Sequence, residues 1–224
     1  YYALHQIGDP NIPQFQHSVI GPIYIYPEPI ADFILSKDSV CENENLSIIY
    51  NAINPDNNVP GITTPQVIDS SGWTITDPHG NITNYPNWGS NNINIILDTS
   101  GIWYFQLTVK SNSGCYSTKI DSVQVFTLPQ ANFTIIPDST CLGTNPIFDG
   151  SFSSSNPSIS GNSGPIVYWN WNFNSTPINN QTNGGPISQT FYSSGSKNIS
   201  LLVVDQLGCE DSISKKLIIE DSLV

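Results

Sequence analysis

The 224-residue chain contains no arginine, and only 11% of its residues are charged. Its six basic residues are all lysines, against 18 acidic residues, which gives a formal net charge of −12. A chain this acidic, without guanidinium groups, lacks the means to neutralise a phosphate backbone. We therefore expect no nucleic acid among its partners.

Long apolar runs and methionine are also missing. No apolar stretch approaches the roughly 18 residues that a membrane-spanning helix needs. The first residues lack the basic segment followed by an apolar segment that marks a signal peptide. The sequence thus predicts no membrane span in this segment. Because methionine is absent altogether, we expect the chain to be a piece of a longer protein whose targeting signals lie elsewhere.

Motifs of catalysis are not found in the sequence. The three histidines, His5, His17 and His79, show no metal-ligand spacing, and no HExxH, GxSxG or phosphate-binding loop occurs. We expect the chain not to be an enzyme and to require no cofactor.

Short stretches of alternating apolar and polar residues fill the chain. In residues 100–110, Trp103, Phe105, Leu107 and Val109 alternate with more polar neighbours, as in a strand with one face in a core. Similar stretches recur between turns rich in Asn, Ser, Gly and Pro. This spacing predicts an all-β fold of tandem immunoglobulin-like β-sandwiches.

The chain is an internal repeat. The interval from a Ser-Gly pair to a cysteine is the same in two places, from Gly101 to Cys115 and from Gly195 to Cys209. An offset of 100 residues superposes Pro29 on Pro129, residues 31–33 on 131–133, and Cys41 on Cys141. We expect residues 1–27 to be the C-terminal hairpin of a preceding repeat, followed by units at 28–128 and 129–224. The linker between these units, residues 127–130, is too short for free hinging.

The four cysteines, Cys41, Cys115, Cys141 and Cys209, allow three pairings. The repeat favours one disulfide per unit, Cys41 to Cys115 and Cys141 to Cys209, and hence an oxidising compartment. Four reduced thiols are the alternative. A zinc site would require CxxC-type spacing, which is absent.

Two sets of residues carry a family resemblance. Trp171-Asn172-Phe173 follows an aromatic-rich strand, and Ser194-Gly195 precedes a strand that ends in Leu207-Gly208-Cys209. The second unit thereby resembles a PKD domain, and the first looks like the related Ig-like or PKD-like repeats. Both resemble the cysteine-containing forms of Bacteroidetes surface proteins, including gliding-motility adhesins and type IX secretion cargo.

The resemblance implies an extracellular, cell-surface location on a Gram-negative bacterium. It also implies O-glycosylation at serines that follow aspartate and precede Val, Ile, Leu or Thr, although Asp-Ser pairs also simply favour turns at strand edges. These candidates are Ser39, Ser122, Ser139, Ser212 and Ser222. One departure matters: PKD domains usually continue Trp-Asp-Phe-Gly-Asp-Gly, whereas Asn174-Ser175-Thr176 follows here. The missing carboxylates weaken any metal site placed there by analogy.

Two ligand hypotheses remain beside the structural explanation. Calcium prefers several carboxylate and carbonyl oxygens, and carboxylates flank the cysteines at Glu42, Glu44, Asp149, Glu210 and Asp211. Solvated turn carboxylates are the favoured explanation of these residues. Exposed aromatics serve as sugar platforms, and only the loop pair Tyr85 and Trp88 is a candidate, because the remaining tryptophans fall on predicted inward faces.

The function that follows is a non-catalytic, structural or adhesive repeat segment of a large secreted or cell-surface adhesin, acting as a semi-rigid spacer. Its partners would be neighbouring repeats of the same protein, with surface glycans or other cell-surface proteins as further candidates. The alternative is a carbohydrate- or ligand-binding module appended to an extracellular enzyme.

Overall fold

The computed structural model describes residues 25–56, 61, 63–86, 92–155 and 163–221, and the regular elements in these ranges are all β-strands. Within these ranges there is no helix with the length and apolar character needed to span a membrane. The predicted hairpin at residues 1–27 lies outside the described residues except for its last three positions. The predicted all-β fold class is confirmed.

The first unit is a sandwich of two sheets. Its strands are β1 (Phe33–Leu35), β2 (Ser39–Cys41), β3 (Glu44–Tyr50), β4 (Ile68–Thr76), β5 (Ile82–Pro86), β6 (Ile93–Leu97), β7 (Gly101–Ser111) and β8 (Tyr116–Phe126). One sheet has the order β1-β3-β6, and the other has the order β2-β8-β7-β4-β5.

The second unit repeats this plan strand for strand. Its strands are β9 (Thr134–Ile136), β10 (Ser139–Cys141), β11 (Ile147–Asp149), β12 (Ile166–Phe173), β13 (Thr176–Gln181), β14 (Ile187–Ser188), β15 (Gly195–Asp205) and β16 (Glu210–Glu220). Its sheets have the orders β9-β11-β14 and β10-β16-β15-β12-β13. Each strand of the first unit therefore has a counterpart eight strands later.

An aromatic pair lies at the centre of each core. Trp73 meets Phe33 edge to face with ring centroids 5.0 Å apart, and Trp171 meets Phe133 in the same way at 5.1 Å. Both tryptophans are 1% exposed, which confirms that they are core residues. Trp103 and Trp169 are half-buried and pack against the same two cores.

The short strands β2 and β10 cross to the five-stranded sheets and pair in parallel with the last strand of each unit. Cys41 lies opposite Phe126 in the β2–β8 pair, and Cys141 lies opposite Glu220 in the β10–β16 pair. Each of these two cysteines therefore lies where the chain leaves its unit. We call this the C-terminal end of a unit.

The turn between the two longest strands of each unit lies at the opposite end. In the first unit the β7–β8 turn holds Cys115, and the nearby Ser117 Oγ accepts a hydrogen bond from the backbone N–H of Ala31, where the chain enters the unit (3.2 Å). In the second unit the β15–β16 turn holds Cys209. We call this the N-terminal end. Because β8 is eleven residues long, the two ends lie about 36 Å apart at about 3.3 Å per residue.

Candidate functional site

The candidate functional site is the junction between the two sandwiches. The linker residue Thr127 is 2% exposed, and Pro129 is also buried. Gln130 and Ser154 exchange two backbone hydrogen bonds of 2.8 and 3.0 Å. The backbone N–H of Ala131 donates to Asp211 Oδ2 at 2.8 Å. The connection is thus packed and hydrogen-bonded into the N-terminal end of the second unit.

A disulfide between Cys41 and Cys209 joins the two units at this junction, with their Cα atoms 5.7 Å apart. Cys41 comes from the C-terminal end of the first unit, and Cys209 comes from the N-terminal end of the second. Cys209 is fully buried. The junction therefore has two covalent connections, the peptide linker and the bridge.

The turn that carries Cys209 is organised by a buried carboxylate. Asp205 is 2% exposed, and its Oδ1 accepts the backbone N–H groups of Leu207 (2.9 Å) and Cys209 (2.8 Å). Gly208 has φ 85° and donates its N–H to Asp205 O at 3.1 Å. This left-handed conformation favours glycine. Hydrogen bonds within the second unit thus fix the backbone of the turn that carries Cys209.

The C-terminal end of the first unit is held by two glutamates. Glu44 Oε2 accepts the backbone N–H of Cys41 at 3.1 Å, and its other oxygen pairs with Lys37. The lysine, followed by this backbone donor, lowers the pKa of Glu44. Glu42 Oε1 accepts the backbone N–H of Ser100 at 3.0 Å. These carboxylates fix the loop around Cys41.

The predicted pairings Cys41–Cys115 and Cys141–Cys209 are wrong. Each would join opposite ends of one sandwich across about 36 Å, whereas a disulfide requires Cα atoms within about 7 Å. Cys115 and Cys141 are free thiols. The repeat correctly indicated which cysteines are equivalent, but it carried no signal that the bridge forms between units.

Four of the five carboxylates proposed for calcium lie within three residues of a bridged cysteine, and the fifth, Asp149, lies on β11. Besides the two glutamates at the C-terminal end of the first unit, Asp149 accepts the backbone N–H of Ser151 (2.9 Å), and Asp211 caps Ala131 at the linker. Glu210 begins β16. In the ranges that the structure describes, no group of three or more His, Cys, Asp or Glu side chains could hold a metal ion.

The proposed sugar platform is described only in part. Tyr85 lies in β5, half-buried against the first core, whereas Trp88 lies outside the described residues. Tyr85 lines a shallow groove of about 190 Å³ together with Asp77, Asp98 and Trp103. The pKa of Asp77 is lowered, chiefly by its hydrogen bond with the Asn81 side chain. The sequence did not single out these two aspartates, which lie in turns far apart along the chain.

The candidate glycosylation serines lie on strands at the surface. Ser39, Ser122, Ser139 and Ser212 are exposed on β2, β8, β10 and β16 respectively. Ser222 lies outside the described residues.

No family model matches the chain, and no curated protein matches it. Among solved structures, the chain is similar to the PKD1 domain of the Vibrio cholerae metalloprotease PrtV, with 19% identity over 42% of this chain and 98% of that one, at a TM-score of 0.33. It is also similar to fibronectin(III)-like modules of Clostridium thermocellum CbhA, with 10% identity over 85% and 95%, at a TM-score of 0.40.

A third similar structure contains carbohydrate-binding modules of the β-sandwich superfamily. It shares 24% identity over 42% of this chain, at a TM-score of 0.36, and the match spans 35% of its length. The fold of this chain is seen in its own strands, which form a sandwich of two sheets in each unit. It is a tandem of immunoglobulin-like β-sandwiches.

Proposed function

We propose that the chain is a non-catalytic, semi-rigid spacer segment of a large secreted or cell-surface adhesin. The observation that carries this proposal is the double connection at the junction. A peptide linker alone allows rotation about its backbone bonds. The bridge between Cys41 and Cys209 adds a second tether, so a hinge motion at the linker has to move both connections together.

The direction of the chain supports an extended arrangement. The chain leaves the first unit at Phe126, which lies at the C-terminal end of that unit. It enters the second unit beside Ala131, at the N-terminal end of that unit. Only the packed linker separates these two points. The two sandwiches therefore follow each other in line, which is the arrangement that holds other parts of a protein at a distance.

The bridge also supports an extracellular location, because disulfides persist in oxidising compartments. With the resemblance to Bacteroidetes repeats, this favours the surface of a Gram-negative cell. Ser39, Ser122, Ser139 and Ser212, exposed at strand positions, are the glycosylation sites that this location would use.

Small-angle scattering of the oxidised chain tests the proposal. A compact globule of this length has a radius of gyration of about 17 Å, whereas two sandwiches in line, each about 36 Å long, should give more than about 22 Å. Cys41→Ser should broaden the distance distribution by freeing the junction. A radius of gyration as small as that of the compact globule, measured for the oxidised chain, would contradict the spacer function.

A carbohydrate- or ligand-binding module appended to an extracellular enzyme is the second candidate. The groove beside Tyr85 favours it, because it combines two aromatic rings with the carboxylates of Asp77 and Asp98. Aromatic faces and carboxylates are the groups that sugar sites use. A glycan array comparing the wild type with Tyr85→Ala tests this candidate. Binding that the substitution abolishes would favour the module, and an empty array would count against it.

A further inference from the structure

We propose that Cys115 and Cys141 form the same kind of bridge as Cys41–Cys209, each with a cysteine of a neighbouring sandwich of this architecture. Cys115 pairs with the cysteine of a preceding unit that corresponds to Cys41, which we call the Cys41-type cysteine. Cys141 pairs with the cysteine of a following unit that corresponds to Cys209, which we call the Cys209-type cysteine. A row of repeats is thus cross-linked by a disulfide at every junction. The inference rests on the proposed spacer function, which supplies neighbouring repeats for the two cysteines to bond.

Cys115 occupies the same turn as the bridged Cys209. In both turns the preceding glycine is left-handed, with φ 89° and 85°. In both, the cysteine N–H donates to the side chain four residues earlier, to Ser111 Oγ at 3.2 Å and to Asp205 Oδ1 at 2.8 Å. Cys115 therefore presents its sulfur at the N-terminal end of the first unit as Cys209 does in the second.

Cys141 occupies the same strand position as the bridged Cys41. Each is the last residue of a short strand paired in parallel with the closing strand, opposite Glu220 and Phe126 respectively. The residue after each cysteine donates its backbone N–H to the carbonyl of that opposite residue, at 3.0 and 2.8 Å. Cys141 is exposed, so its thiol is open to a partner at the C-terminal end of the second unit.

The segment that leads into the first unit follows the path of the linker. Ile30 forms an isolated bridge with Ile53, as Gln130 does with Ser154, and the proline before each is buried. Four residues before Gln130 lies Phe126, the residue opposite Cys41. The corresponding residue before Ile30 is therefore four residues earlier, at position 26.

Tyr26 at this position shows where a preceding unit would place its cysteine. By the β2–β8 register, that cysteine lies opposite the last strand residue before the linker, as Cys41 lies opposite Phe126. The Sγ atom of Cys115 is 3.8 Å from Tyr26 O. Cys115 thus already lies against the residue beside which a Cys41-type partner is expected.

The bridges form by exchange with a disulfide oxidant, such as oxidised glutathione. One cysteine thiolate attacks the oxidant's S–S bond, forms a mixed disulfide and releases one oxidant thiol. The partner thiolate attacks the mixed disulfide, forms the protein bridge and releases the second oxidant thiol. The two cysteines lose two electrons, the oxidant gains them, and the two cysteine protons end on the two released thiols.

A fusion of two copies of the chain tests the proposal. Residues 1–220 are followed directly by residues 27–224 of a second copy, which recreates the junction because Glu220 and Pro27 correspond to Phe126 and Thr127. After oxidation with a glutathione couple, we expect peptide mapping to find Cys141 of the first copy joined to Cys115 of the second. Of the eight cysteines of the fusion, two should remain alkylatable.

The matched control carries Cys115→Ser in the second copy. It should lose this new bridge and keep both Cys41–Cys209 bridges. Four alkylatable thiols in the unsubstituted fusion, or a different partner for either cysteine, would overturn the proposal.

A second measurement needs no fusion. Full chains carrying Cys115→Ser and Cys141→Ser are mixed and oxidised, and heterodimers should exceed the half of all dimers that random pairing gives. A random or lower share contradicts the proposal. Small-angle scattering from the fusion separates the two hypotheses. A fusion that is bridged but compact refutes the spacer function alone. A fusion that is extended but lacks the bridge refutes only the proposed disulfide between units.

Discussion

The bridge between the units should stabilise each sandwich against unfolding, and Cys209→Ser removes it. While the first unit stays folded, the β2–β8 register holds Cys41 beside Phe126. Unfolding of the second unit therefore leaves a closed loop that runs from Phe126 to Cys209. For this loop of about 80 residues the chain-entropy model gives about 4.5 kcal/mol, and measured bridges typically contribute about 2–4 kcal/mol. We expect a loss of about 2–4 kcal/mol on this basis.

Urea unfolding followed by tryptophan fluorescence measures this loss. Trp73 and Trp171 are both 1% exposed in separate cores, so each reports on one unit. With a slope of about 2 kcal/mol per molar urea, the midpoint of the second unit should fall by about 1–2 M. Cys41→Ser should give the same shift, and the double variant should be no less stable than either single variant, because one substitution already removes the bridge.

Cys115→Ser is the matched control for this prediction. Its thiol is free in the chain, so the substitution should change the free energy of unfolding by less than about 0.5 kcal/mol. A control that destabilises the first unit as much as Cys209→Ser destabilises the second would refute the observed pairing. It would support instead one bridge within each sandwich.

Two further predictions concern the cores and the surface. Trp171→Ala should cost about 3–5 kcal/mol of unfolding free energy because the indole is buried. The control Tyr168→Ala, at an exposed site, should cost far less. Equal urea midpoints for the two variants would contradict the core assignment. Asp32→Asn should cost about 1 kcal/mol near neutral pH, because hydrogen bonds from Lys119 and then Asn51 hold the pKa of Asp32 below its ordinary value of 3.8. This carboxylate stabilises the fold above about pH 4, and its contribution is lost as the pH falls through the lowered pKa. Urea titrations at several pH values measure the difference in unfolding free energy between the wild type and Asp32→Asn. A difference that stays constant down to pH 2 would count against this reasoning.

The sequence alone determined the long strands and the cores. Phe105, Leu107 and Val109 alternate with polar neighbours in the sequence, and all three are fully buried on β7. This succeeds because each strand needs only a local period of two to turn one face inward. The repeat likewise showed that Cys41 corresponds to Cys141 and Cys115 to Cys209, since equivalence depends on aligned residues and not on their surroundings.

The short strands could not be predicted in this way. β2 and β10 are three residues each, too short to show a period, and in β2 only Val40 is buried. Their parallel pairing with β8 and β16 joins residues far apart along the chain. Nothing in the sequence around Ser39–Cys41 indicates that this segment crosses from one sheet to the other.

Only the tertiary structure decided which cysteines meet. Cys41 lies at the C-terminal end of its sandwich because it pairs with Phe126, at the far end of the same unit's sequence. Cys115 lies at the opposite end because eleven residues of extended strand separate it from the end of β8. A disulfide depends on the distance between two Cα atoms, and long-range strand register sets that distance. The local pattern around each cysteine therefore contains no information about its partner.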